Sequence, residues 1–421
     1  MRIGITCYPT YGGSGAVATE LGIKLAERGH EIHFISYAQP FRLGHFRERI
    51  FFHEVEMEHY PLFEHPPYSL ALAVAMHGVA TKARLDLLHV HYAIPHATSA
   101  WIARDMLRDE GHDLPVVTTL HGTDITLLGI HPSFHAITRF SILKSTGLTA
   151  VSRFLKDETV RDFGVPEDRI RVIPNFIDPL VYHPGKEPCH RAALAPGGEK
   201  IVMHVSNFRP VKRIGDVLET FRRIRARIPA RLVLIGDGPE RPTAQEDAEA
   251  MGISGDVLFL GKHASVDELL SCADLFLLPS DSESFGLAAL EAMASGAPVV
   301  GTRAGGLPEV VPHGEAGFLF PVGDVESMAD AGLSLLRDDA LWKRFSDAAQ
   351  RVAVERFSAE KVVPEYEAHY FQADNRYLVF ITWIDRNKPD SVPPGMVYIN
   401  EGMSVLRVYD QDMVLLVTVS L

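Results

Sequence analysis

The stretch DSESFGLAALEAMASGAPVVGT, residues 281 to 302, runs through loop, helix and strand in one pass. Gly286 closes a loop, and the apolar run Leu287, Ala288, Ala289, Leu290 predicts a helix that starts just after it. The free N–H groups of such a helix start face outward as an anion site. PVVGT then reads as a buried strand. Glu283 and Glu291 stand eight positions apart, one in the loop and one about two turns along the helix. Carboxylates accept hydrogen bonds and donate none, so a pair flanking a phosphate-binding helix start suits a ligand with hydroxyls on both sides of a pyrophosphate. An arbitrary pair of this spacing would be two solvated glutamates; the companions along the chain argue otherwise.

Working outward, short apolar runs alternate with amphipathic stretches, the pattern of βα units and parallel sheets. RIGITCY, EIHFISY, LLHVHY, PVVTTL and GLTAVS read as strands of the first half. KIVMHVSN, RLVLIGD, VLFLG, DLFLLPS and PVVGT repeat the pattern in the second. Between the halves, IPNFIDPLVYHPGKEP, residues 173 to 188, holds four prolines and no periodicity and reads as a linker. Ligands of open α/β sheets sit at the carboxyl ends of strands, which puts a site in the cleft between two such domains. From about Phe371 the pattern turns to period-two alternation in RYLVFITWID, GMVYINEG, SVLRVYD and DMVLLVTVSL, a β-rich tail to which no chemistry is assigned.

A chain of 421 residues, 46% hydrophobic, can bury two ordinary cores. Its net charge of −13 leaves no basic face for nucleic acid or anionic membrane, so a phosphate ligand must be held by local donors. Cys7, Cys189 and Cys272 show neither metal-ligand spacing nor a disulfide framework, which fits a reducing cytoplasm. The opening residues read as strand rather than signal peptide. TFRRIRARIPAR, residues 220 to 231, holds five arginines that could form a membrane-docking helix, but Pro229 shortens it and a solvated helix face is the preferred expectation.

GGSG (12 to 15), HGTD (121 to 124), NFRPVKR (207 to 213), IGDGPE (235 to 240), the E-x7-E loop and AGGLPEVV (304 to 311) occur in order. With these the chain resembles the retaining GT-B glycosyltransferases over roughly residues 1 to 370. Longer strings, GITCYPTYGGSGAVATELG, HEIHFIS followed by PFRL, HVHYAIPHA and TTLHGTDITLLG, bring it nearest to members that move N-acetylglucosamine from UDP-GlcNAc to L-malate, the first step of bacillithiol synthesis. The resemblance implies an α/β fold of two doubly wound, Rossmann-like domains facing across a cleft. The first, at 1–172, would bind the acceptor, and the second, at 189–355, the nucleotide sugar. A helix at 356–370 would cross back to the first domain. The tail at 371–421 departs from the family. UDP-GlcNAc and L-malate are the implied partners, with no cofactor, no metal site, no nucleic acid and no stable membrane association; a homo-oligomer stays open.

Site residues follow from the same resemblance. Lys212 is placed on the pyrophosphate. Asn207 stands where the family carries an arginine, which makes Arg209 the candidate second cation beside it. Gly13, Ser14 and Gly15 lie between the first strand and its helix, where the backbone closes over the diphosphate. Glu283 would anchor sugar hydroxyls beside the amides of Phe285, Gly286 and Leu287, Glu291 the ribose, and His121 the transferred sugar. Asp124 reads as an N-cap of the following helix. For the acceptor carboxylates, Ser14, Tyr92, Thr119 and Arg139 are the candidates, with Arg153 competing. Front-side attack would explain retention with no carboxylate base. Rivals are an acceptor such as inositol phosphate, a UDP-sugar epimerase of the same architecture, and a silent sugar-nucleotide binder.

Overall fold

A computed structural model describes residues 1–373 apart from 11, 45, 58–64 and 188–189, together with the backbone of three strands beyond them. Seven strands form the first sheet: β1 (Arg2–Thr6), β2 (Glu31–Ser36), β3 (Ile50–Glu54), β4 (Leu87–His91), β5 (Val116–Leu120), β6 (Gly147–Ala150) and β7 (Ile170–Val172). They pair in parallel in the order β3-β2-β1-β4-β5-β6-β7. Six more form the second: β8 (Lys200–Val205), β9 (Ala230–Ile235), β10 (Val257–Gly261), β11 (Leu275–Leu278), β12 (Val299–Thr302) and β13 (Gly317–Phe320). Their order is β10-β9-β8-β11-β12-β13, again all parallel. Helices cover both faces, so every residue of β4, β5, β11 and β12 is buried, which is why these strands read as apolar runs rather than alternating ones.

In each sheet the strand order reverses once, between β1 and β4 and between β8 and β11. Crevices at such reversals are where open α/β sheets bind ligands. The loops leaving those four strands carry Gly12–Gly15, Tyr92, Asn207–Arg213 and the E-x7-E segment, so topology alone gathers the motifs.

The chain crosses between the domains twice, and the two crossings are stitched together. Ile177 N–H donates to Phe357 O at 2.9 Å, and Ala359 N–H to Ile177 O at 2.9 Å. Helix Ala359–Ala373 then packs on the first domain, with Tyr366 and Tyr370 fully buried and Tyr370 Oη 2.8 Å from His89 Nδ1. The three strands β14 (Met396–Asn400), β15 (Val405–Asp410) and β16 (Leu415–Ser420) form a separate antiparallel sheet. The further strand expected over RYLVFITWID lies outside the described residues.

The arginine-rich stretch has a clear electrostatic account. Its helix, Ile214–Arg225, stops before Pro229. Arg222 and Arg223 pair with Glu219, Arg225 with Asp256, Arg227 with Asp330 and Arg231 with Glu199. Each of the five arginines thus has a carboxylate partner within the protein, Arg222 and Arg223 sharing one. Among the described residues, no helix is long and apolar enough to cross a membrane.

Candidate active site

In the second domain, the loop after β8 turns through Pro210–Lys212 and presents Lys212 beside the E-x7-E loop. Lys212 Nζ lies 2.5 Å from Glu283 Oε1, and Ser280 Oγ donates to the same oxygen at 2.8 Å. Both loops are fixed through their backbones: Asp281 N–H donates to Val211 O at 2.8 Å, and Gly306 N–H to Glu283 O at 2.7 Å. The neighbouring Gly305 has φ +60°, and a Cβ there would lie 2.0 Å from Glu283 O, so only glycine lets the AGGLPEVV loop seat against the glutamate.

Gly286 takes a left-handed conformation, φ 99°, and caps helix Leu287–Ala294 as the sequence predicts. Glu291 is the fifth residue of that helix, about 6 Å from its start, one turn along rather than the two expected. It is also no surface glutamate. Its exposure is 4%, and that of Glu283 is 9%. Phe285 contributes only backbone to the cleft, since its ring is buried edge-on against Phe357. Asn207 and Arg209 are exposed, and the Arg209 charge acts on the Tyr92 phenol across the cleft.

On the first-domain side the helix after β1 spans Gly13–Glu27, beginning three residues earlier than AVATELG suggests. Gly13, Ser14 and Gly15 are therefore its first turn, not the loop before it. A Cβ on Gly13 would lie 3.7 Å from the Leu287 side chain, so two helix starts, one from each domain, oppose each other. Tyr92 sits at φ 86° with its phenol beside the hydroxyls of Ser14 and Thr123. Burial chiefly, then the nearby Asp124 charge, raises the phenol's pKa.

His121 Nε2 lies 2.8 Å from His91 Nδ1, and burial pushes the His121 pKa down to about 3. A ring held neutral can orient a sugar hydroxyl but cannot serve as a cationic acid near neutral pH. Asp124 is not the N-cap expected. Its carboxylate is buried and folds back to accept from Ala93 N–H at 2.9 Å, Gly122 N–H at 2.9 Å and His121 N–H at 3.2 Å, fixing the HGTD loop on the turn after β4. Gly122, φ +122°, meets the second domain so closely that a Cβ would lie 1.6 Å from Ser284 Oγ.

Two expected acceptor residues are not brought to this cleft. The Thr119 hydroxyl is fully buried and bonded to His89 Nε2 and Thr149 Oγ1, each at 2.7 Å, so it is spent inside the sheet. Arg139 Nε donates at 2.9 Å to the carbonyl of Phe163, which ends helix Arg153–Phe163. That is about 16 Å along the helix from the end that touches the second domain. Arg153 begins the same helix and does stand at the domain junction: its N–H and that of Phe154 donate to the two oxygens of Glu309 at 2.9 Å.

Three contributors escaped the sequence. Glu309 lies in the quoted AGGLPEVV, but nothing local shows that it caps a helix of the other domain. Arg42 and Tyr182 both bind Glu291 Oε1, Arg42 through two nitrogens at 3.2 Å and Tyr182 Oη at 2.9 Å. Arg42 stands in PFRL, and Tyr182 in the linker.

Opposed helix starts, a lysine on a loop carboxylate and a second buried glutamate, all in the crevice between two doubly wound sheets, define a GT-B glycosyltransferase site. The comparisons agree domain by domain. The family model Glycosyltransferase Family 4 matches residues 11–179, and Glycosyl transferases group 1 matches residues 186–352. The N-acetyl-alpha-D-glucosaminyl L-malate synthase of Bacillus anthracis is 48% identical over 374 residues, covering 88% of this chain and 97% of that protein. The D-inositol 3-phosphate glycosyltransferase of Corynebacterium glutamicum is 29% identical over 293 residues, 64% of this chain and 68% of that protein. Among solved structures, a glycosyltransferase from Rickettsia africae superposes with TM-score 0.73 at 21% identity, covering 88% of this chain and 98% of its own. Anabaena HepE in complex with UDP and glucose gives TM-score 0.69 at 20% identity, with 91% and 99% covered. The chain belongs to the GT-B glycosyltransferase family and is a transferase.

Proposed function

We propose that this enzyme transfers N-acetylglucosamine from UDP-GlcNAc to the hydroxyl of L-malate with retention of configuration, releasing UDP, in the cytoplasm. The observation that carries the donor half is the Lys212–Glu283 pair at 2.5 Å beside the start of helix Leu287–Ala294. As the bond between the anomeric carbon and the phosphate oxygen breaks, negative charge grows on the diphosphate. Lys212, Arg209 and the amides at 286–288 are positioned to stabilise it. The malate hydroxyl oxygen attacks the same face of the anomeric carbon, and its proton passes to the departing phosphate oxygen. No side-chain base is needed in that route. Glu283 anchors sugar hydroxyls, Glu291 the ribose, and neutral His121 the transferred sugar.

For malate, the hydroxyls of Ser14 and Tyr92 supply donors at the first-domain face of the cleft, and Arg153, which starts its helix at the domain junction, is the candidate cation. The identity of 48% over nearly the whole Bacillus anthracis enzyme supports this acceptor over a larger one. The donor sugar carries its own leaving group, so transfer needs no cofactor, and Lys212, Arg209 and the helix amides would take the place of a divalent cation on the departing diphosphate.

The test is UDP release from UDP-GlcNAc against L-malate, other hydroxy acids and inositol phosphate. Malate-dependent release is expected. Release only with inositol phosphate would replace the acceptor. Interconversion of UDP-GlcNAc with its epimer in the absence of any acceptor would make the enzyme an epimerase, and no turnover at all would leave a binding protein.

A further inference from the structure

We propose that Arg42, carried by the first domain, is a positioning residue for nucleotide recognition in the second: it grips one oxygen of Glu291 so that the other is presented to the ribose. The proposal rests on the donor-site assignment above and adds a residue to it.

Arg42 lies in the loop between β2 and β3, whereas Glu291 lies on the helix that opens the E-x7-E site. Both terminal nitrogens of Arg42 reach a single atom, Glu291 Oε1, at 3.2 Å, and Tyr182 Oη donates to that same atom at 2.9 Å. Among the described residues, none donates a hydrogen bond to Oε2. A carboxylate held by three donors on one oxygen has lost its freedom to rotate, while its second oxygen keeps its full accepting capacity. The pair opens into a small interdomain cleft lined by Ala16, Val17, Glu20, Tyr182 and Leu287. Leu287 is the first residue of the phosphate-facing helix, so a nucleotide with its diphosphate there has its ribose within reach of Glu291.

Two features show that Arg42 is held for this contact rather than by general packing. Its backbone is left-handed, φ 71°, a conformation that costs a branched or long side chain more than glycine. Its Nε is buried without any acceptor, so Glu291 is the one group that satisfies the guanidinium among the described residues. Glu20, on helix Gly13–Glu27, lines the same cleft and adds a second negative charge that acts on Arg42 and on Glu291. Removing the guanidinium would leave two like charges in one cleft without the cation that acts on both. A further consequence is that the ribose site of the second domain is complete only while the first domain lies against it.

Binding of UDP and of 2′,3′-dideoxy-UDP to the full chain, measured by calorimetry, tests this without catalysis or acceptor. The unaltered protein should favour UDP by about tenfold or more, the size expected for hydroxyls bound to a buried carboxylate. Arg42→Ala should weaken UDP to nearly the dideoxy value and leave dideoxy-UDP within about twofold. Arg42→Lys, which keeps the charge without the planar fork, should fall between. In turnover the KM for the donor should rise more than kcat falls. Equal weakening of both ligands in either variant would mean a packing role and would overturn the proposal, as would unchanged UDP binding in Arg42→Ala. If the unaltered protein did not distinguish the two nucleotides, the ribose role of Glu291 itself would fail.

Discussion

In the second domain the ligand-facing loops are tied to one another through the backbone, Gly306 N–H to Glu283 O and Asp281 N–H to Val211 O, with Gly305 leaving no room for a side chain. The first domain faces the same cleft through the helix start at Gly13 but otherwise through side chains: Tyr92, Ser14, Thr123 and a stack of histidines behind them. The difference teaches where precision is stored. In the proposed reaction a diphosphate would be met by fixed amides and a lysine already held at the cleft. A small acceptor would be met by hydroxyls whose placement depends on the layer beneath.

The sharpest way to break this contrast is at the donor side. Lys212→Ala should lower kcat/KM by about a hundred- to a thousandfold, the usual loss for a donor aimed at developing charge. Steady-state kinetics with saturating malate would show it, and near-normal turnover would remove the lysine from the diphosphate.

The next effect separates the two domains by acid. In the first, burial holds His89 and His121 down to about 3 and His96 to about 4, with His91 well below its ordinary value. In the second, His204, held down to about 4, is the comparable group on the strand before Lys212. A depressed histidine stabilises the fold above its unfolded pKa near 6.5 and loses that contribution as the pH falls towards the folded value. Each such ring costs up to about 2 kcal/mol between pH 6.5 and 5. Hydrogen exchange at pH 5 should therefore open β4 and β5 before β8 and β11. Simultaneous opening would erase the distinction.

Smaller effects probe the seam and the acceptor face. Glu309→Ala removes a carboxylate from the start of helix Arg153–Phe163, a cap worth about 1 kcal/mol. It should raise the donor KM by about fivefold if that contact favours the closed arrangement. Arg139→Ala should leave the malate KM within about twofold and shift stability by less than about 0.5 kcal/mol, as for other surface changes. A large rise in malate KM would return Arg139 to the acceptor site.

Much of this was legible in the sequence, for identifiable reasons. Buried parallel strands are written as apolar runs, so the central strands of both sheets could be read, whereas the partly buried edge strands β3, β7 and β13 could not. Gly286 marks its helix start because a left-handed cap excludes most other residues. Thr119 and Arg139 misled because strand-end and helix position do not reveal whether a hydroxyl or guanidinium is already bonded elsewhere. Arg42, Tyr182 and Glu309 were hidden for a deeper reason. Each acts on a residue far along the chain, 249 positions away for Arg42 and Glu291, and only the packing of the first domain and the linker on the second brings them together. Helix Gly13–Glu27 begins earlier than its apolar run because its first turn is built on glycines, of which Gly15 is pressed against Tyr8 O and Thr10 O where a side chain has no room.

A crystal structure with UDP bound bears most directly on the whole account. The diphosphate should lie between Lys212 and the amides at 286–288, with both ribose hydroxyls on Glu291 Oε2 and Arg42 still on Oε1. A nucleotide bound in the first domain, or one whose diphosphate stands clear of Lys212, would contradict it.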